Sequence, residues 1–170
     1  HCLLRRQRQM CIRDSDTSRY KLILFAWPLI QFFLLFGSLI SICWFKHLTV
    51  LEAVILMLVQ GMITGAVGIT FAHELMHQKT KLERFLADVL MAMAFYGHFR
   101  TEHVFVHHRY VGTKKDAVTA RFNESFYIFF LRVIPQCFIS AWSVEAQKLA
   151  TKNKSTFNMA NPFYTYAALA

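Results

Sequence analysis

Cysteine is scarce in this chain and nowhere closely paired. Cys2, Cys11, Cys43 and Cys137 are scattered, no CxxC occurs, and two of the four lie within long apolar stretches. That distribution suggests neither a disulfide framework nor a thiolate zinc site, and it suits a centre facing a reducing cytoplasm. Acidic side chains are also few: 10 Asp and Glu stand against 19 Lys and Arg, for a formal net charge of +9. The excess does not mark a nucleic-acid binder, because the basic residues lie between apolar segments and form no continuous basic surface. Contact with anionic lipid and membrane orientation account for them better. Internal repeats and low-complexity segments are absent.

What the chain has in quantity is apolar surface. At 170 residues it is one domain at most, yet 55% of it is hydrophobic, with 17 Phe and a mean hydropathy of +0.33, which is unusual for a soluble domain of that size. Residues 22–45 run 24 positions without a charge. At about 1.5 Å rise per residue a helix of that length crosses a hydrocarbon core roughly 30 Å thick. A signal peptide would have a shorter apolar core followed by a small-residue cleavage site, whereas Lys46 and His47 lead directly into a second apolar run, residues 48–71, with Glu52 near its start. The expected fold class is therefore an all-α integral-membrane helical bundle. Gly61 and Gly65 have the small-xxx-small spacing that lets membrane helices approach closely. The opening residues 1–18 begin without Met, change composition abruptly before Tyr20, and read as non-native or disordered; the expected membrane domain is 19–170. The end, NPFYTYAALA, stops as a further apolar segment begins, which reads as a fragment.

Lys46 and His47 allow only a tight hairpin, so the outer ends of both spans emerge on one side. Between Gln78 and Phe122 eight basic residues (Lys79, Lys81, Arg84, Arg100, Arg109, Lys114, Lys115, Arg121) face four acidic ones, and Arg19 and Lys21 precede the first span. By the positive-inside rule that side is cytoplasmic, which in a bacterium means an inner-membrane protein. Residues 84–97 are too short an apolar stretch to cross, and residues 125–148 carry Arg132, Pro135 and Gln136. Both are expected to be interfacial helices.

Six of the eight histidines fall within 36 residues: His73 and His77 in HELMH, His98 in GHF, and His103, His107 and His108 in EHVFVHH. On a helix, positions four apart share a face and reach one ion. This joins His73 to His77 and His103 to His107, and it turns His108 away by about 100° towards a possible second ion. His98 sits beside Gly97, where a change of backbone direction would aim it inward; an ordinary buried histidine is the alternative there. Ionisable groups clustered at a membrane are costly and seldom gather without a function. HELMH alone also fits a zinc protease, with Glu74 as general base. A mononuclear zinc site has no use for four further histidines, so six imply a di-metal site. Imidazole suits zinc, copper, iron or nickel, and ligand type alone does not choose among them. Glu74 and Glu102, each next to a histidine, are candidates for holding ring nitrogens from behind, or are merely solvated charges.

HELMHQK, the segment YGHFRTEHVFVHHRYVGTKKDAVTARFNESFY and the SAW that follows resemble the membrane-bound non-haem alkane 1-monooxygenases, within the larger fatty-acid desaturase and hydroxylase group. HExxH paired with a downstream EHxxxHHxxV is specific in a way neither half is. Val106 stands where the family usually carries Gly, and Val104 where it often carries Asn. The resemblance implies that His73, His77, His98, His103, His107 and His108 ligate two Fe ions that activate O2. It also implies hydroxylation of an apolar alkyl substrate drawn from membrane lipid, with electrons from rubredoxin. A desaturase or fatty-acid hydroxylase of the same group, a membrane zinc metalloprotease, and a non-enzymatic membrane fragment are the competing readings.

Overall fold

A computed structural model of the chain describes residues 17–169, and among them there is helix and no strand. The expectation for residues 1–18 lies almost wholly outside the described residues. The first long helix, α1 (Thr17–Ile40), ends in a π-helical turn, Ser41–Phe45. Lys46 then takes a left-handed conformation, φ 49°, and the chain doubles back. Thr49 caps the returning helix α2 (Val50–Met62). Its hydroxyl accepts from the Glu52 amide at 3.3 Å while the Glu52 carboxylate accepts from the Thr49 amide at 2.8 Å. Glu52 is thus not a stray charge in an apolar run but half of a capping box.

From α2 the chain passes through a second π-helical segment, Ile63–Gly68, into α3 (Ile69–Met76). The whole rod, Val50–Met76, is 27 residues long. It therefore continues five residues past Phe71, where the sequence suggested the span ends, and carries HELMH on its last turns. A second capping box, Thr80 with Glu83, starts α4 (Lys81–Met93), and Arg84 donates to the carbonyls of Gln78 at 3.3 Å and Lys79 at 2.7 Å in the tight turn between. The short turn folds α4 back against α3. Leu24 of α1, Ala72, Leu75 and Met76 of α3, and Ala87, Leu90 and Met91 of α4 pack into one buried cluster directly behind the histidines.

Then come α5 (Phe99–Glu102), a third π-helical segment His103–His107, and the single turn α6 (His108–Tyr110). A loop leads to α7 (Phe126–Ala150), and α8 (Pro162–Leu169) closes the described chain. Arg100 of α5 grips Asp88 of α4 through two bonds of 2.6 and 2.9 Å, and Thr101 donates to Glu145 of α7 at 2.9 Å. These contacts fix the histidine-bearing segment between α4 and α7.

Three stretches, Tyr20–Phe45, Val50–Met76 and Phe126–Ala150, are long and apolar enough to cross a membrane, and the first two leave large apolar side chains such as Leu22, Phe33, Leu51 and Met62 outward. The close approach of α1 to the second rod is not at Gly61 or Gly65, where an added Cβ would meet nothing within 4 Å. It is at Gly68, where a Cβ would collide with the amide of Gln31, a wholly buried side chain that accepts from Trp27 Nε1 at 2.9 Å.

Candidate metal centre

The end of α3 and the π-helical segment after α5 bring four imidazoles together. His103 Nε2 lies 2.9 Å from His73 Nε2, 3.3 Å from His77 Nε2 and 2.9 Å from His108 Nε2. A single ring nitrogen has one proton or one lone pair, so hydrogen bonding does not account for three such contacts at once. A cation does. Nitrogens bound about 2.0–2.1 Å from a shared ion stand about 2.9–3.4 Å apart at ordinary coordination angles, and donor atoms of His73, His77 and His103 all lie within 4.8 Å of one another.

His73 and His77 meet as their four-residue spacing requires, with ring centroids 4.8 Å apart. The second box does not follow the α-helical rule. A π-helix closes i to i+5, and the His108 amide donates to the His103 carbonyl. The wider turn brings His108 round to His103, with centroids 4.5 Å apart, instead of turning it away. His107 stacks on His103 at 5.3 Å, but its Nδ1 is bonded to Asp116 Oδ2 at 3.0 Å. His98 is not brought to the cluster. Its ring sits among Tyr96, Phe138 and Phe163, with Nε2 buried and unpartnered.

Burial favours the neutral form of three of these rings, those of His77, His98 and His103. Desolvation, then the neighbouring imidazoles His73 and His108, lowers the pKa of His77, and the same causes push His103 down to about 4. Desolvation also lowers His98. Neutral imidazole is the form that ligates a metal.

The carboxylates divide differently from the sequence expectation. Glu74 accepts from Gln78 Nε2 at 2.9 Å. Glu102 is fully buried and neither of its oxygens has a partner; burial, then the Asp116 charge, raises it to about 7. The carboxylate that does hold a histidine is Asp116, which sequence reasoning missed. Its side chain is 0% exposed. Burial opposes its ionisation, but hydrogen bonds from Thr119, the Val118 amide and His107 outweigh that and keep it below its ordinary value. Asp-x-x-Thr signals a turn in the sequence, but nothing in the spacing ties that turn to His107.

Membrane-length helices whose ends gather imidazoles at metal-ligand separations define an integral membrane protein with a histidine-rich metal site. The residues from Thr49 onward give the class its name. The family model for fatty acid desaturase matches residues 49–170, and the chain belongs to that family. It is 36% identical over 129 residues to alkane 1-monooxygenase of Ectopseudomonas oleovorans, covering 74% of this chain and 32% of that protein. It is 41% identical over 101 residues to alkane 1-monooxygenase 1 of Pseudomonas aeruginosa, covering 59% and 26%. To the xylene/toluene monooxygenase hydroxylase component of Pseudomonas putida it is 34% identical over 109 residues, covering 63% and 29%. The chain thus spans about a third of the length of its curated relatives.

Proposed function

We propose that the protein hydroxylates the terminal carbon of an alkane or related alkyl chain, using O2, two iron ions and electrons from rubredoxin. The observation that carries this reading is the meeting of His73, His77, His103 and His108 at ligand separations, in a chain similar to several alkane 1-monooxygenases. The bound irons would supply O2 activation. His73, His77, His103 and His108 hold the metal, His107 stacks beside them, and His98, seated among aromatic rings, is the sixth imidazole the chain offers. Neutrality of His77 and His103 leaves their lone pairs free at physiological pH.

The apolar substrate partitions into the bilayer, so a path from lipid to the metal is required. A groove of about 410 Å3 between the two membrane rods has walls that include Leu35, Leu39, Ile42, Met57 and Ile69. Ile69 stands one helical turn before His73, and this groove is the proposed seat of the alkyl chain. An aromatic methyl group is the second substrate class, favoured by the likeness to the xylene/toluene enzyme component. We place the histidines on the cytoplasmic side of a bacterial inner membrane, with α4 and α7 at the interface, because basic residues dominate that side. Lys79 and Arg109, next to the two histidine boxes, would meet an acidic electron carrier.

The test is metal analysis of the full-length protein purified in detergent, together with turnover of a medium-chain alkane by reductant and O2. Close to two irons per chain and a terminal alcohol are expected. One zinc, no iron and peptide-bond cleavage that Glu74→Gln abolishes would replace this function with a metalloprotease.

A further inference from the structure

Asp116 lies in the loop between α6 and α7, outside every histidine motif, yet it makes the one carboxylate bond to a histidine among the described residues. Its Oδ2 accepts from His107 Nδ1 at 3.0 Å and from the Thr119 hydroxyl at 2.6 Å, and its Oδ1 accepts from the Val118 amide at 3.0 Å. Thr119 in turn accepts from the Gly112 amide at 3.0 Å. The loop itself is anchored. Arg132 of α7 donates to the carbonyls of Ala117 at 2.9 Å and Thr119 at 3.3 Å, while Glu124 takes its other donors at 2.7 and 2.8 Å. A carboxylate buried completely and fixed from three sides is built to hold something in place, and what it holds is an imidazole of the second histidine box.

We infer that Asp116 is the positioning residue for His107: by accepting the Nδ1 proton it fixes the tautomer that leaves Nε2 as the bare, metal-binding nitrogen, and it fixes the ring's orientation. The inference rests on the reading of His107 as an iron ligand. Its physical content is general. A ligating imidazole gains basicity and loses rotational freedom when its other nitrogen donates to a carboxylate, and the neutral ring has one N–H, so committing it to Nδ1 decides the other nitrogen's role. Glu74 and Glu102, the carboxylates adjacent to histidines in sequence, make no such bond. The presence of Arg132, a guanidinium on a helix of membrane length, is explained as well, since it clamps the turn that carries Asp116.

The experiment uses the full-length protein, loaded with 57Fe, and reads iron affinity by chelator competition and the Mössbauer spectrum of the bound iron. Asp116→Ala should weaken iron binding about 10- to 100-fold and alter the spectrum of one iron site. Asp116→Asn, whose amide oxygen still accepts from Nδ1, should recover part of the loss. In a His107→Ala background the further change Asp116→Ala should have no additional effect on iron affinity, because its partner is already gone. Equal weakening in both backgrounds would reduce Asp116 to a fold-stabilising residue and overturn the inference, as would unchanged affinity and spectrum in Asp116→Ala. If His107→Ala alone leaves iron affinity and spectrum untouched, the ligand reading of His107 fails, and the inference fails with it.

Discussion

Glu102 is buried beside the histidines with no hydrogen-bond partner, and replacing it by Gln should relieve the cost of ionising it there. Its carboxyl is 0% exposed with both oxygens unpartnered, and its value in the fold is about 7 against an ordinary 4.5. Between those values the folded chain keeps a proton that the unfolded chain has released, so stability falls as pH rises through that window and levels off above it. A gap of about 2.5 units at about 1.36 kcal/mol each is on the order of 3 kcal/mol. Gln cannot ionise and matches Glu in shape, so Glu102→Gln should resemble the parent near pH 5 and exceed it by roughly 3 kcal/mol at pH 8, about 6–12 °C in Tm for a chain of this size. Thermal unfolding of iron-free protein in detergent, followed by circular dichroism at intervals from pH 5 to 8, supplies the measurement. Other groups titrate over the same range, but they do so in both proteins, and the difference between the two curves isolates Glu102. Iron loading should flatten the parent's curve, since cations beside the carboxyl favour its ionised form. Parallel curves for parent and variant across the whole range would refute the burial reasoning.

Among the histidines, His103→Ala should cost the most iron, because its Nε2 is the one within 2.9–3.3 Å of three others, and His98→Ala the least, because its ring packs among aromatic side chains. Iron counted per chain after gel filtration checks the order, and a reversed order would move the centre towards α5's N-terminus. For topology, a cysteine introduced at Lys79 in a protein lacking its native thiols should resist a membrane-impermeant reagent in intact cells, whereas Cys43, exposed at the far end of α1, should react when retained alone. Labelling at Lys79 and protection at Cys43 would invert the orientation and exclude a cytoplasmic electron donor.

The parts of this molecule that could be read in advance are those whose causes are local. A run of 24 uncharged residues specifies a membrane-length helix whatever surrounds it, and a four-residue spacing specifies His73 beside His77 on any α-helix. The end of the second rod was harder to read, because hydropathy registers polarity and not backbone geometry. His73 and Glu74 interrupt the apolar run without interrupting the helix, which continues to Met76. Both T-x-x-E capping boxes stood in the sequence as signals for helix starts at Thr49 and Thr80, and the second sets α4 three residues earlier than its apolar pattern suggested.

The second histidine box shows where local rules stop. Rotation of about 100° per residue would send His108 away from His103, and only the π-helical turn makes five residues, not four, the spacing that converges. No single residue in EHVFVHH announces that turn. Among the described residues, two of the three π-helical segments precede or carry a histidine box, so the irregular backbone is concentrated where side chains must be aimed, while the regular helices around it supply rigidity. Asp116 lies further still from local logic, since its place beside His107 depends on Arg132 holding the loop from another helix. The donor types and half of their geometry are therefore written in short motifs. The tautomer of His107 is written in a contact that exists only after α7 has packed.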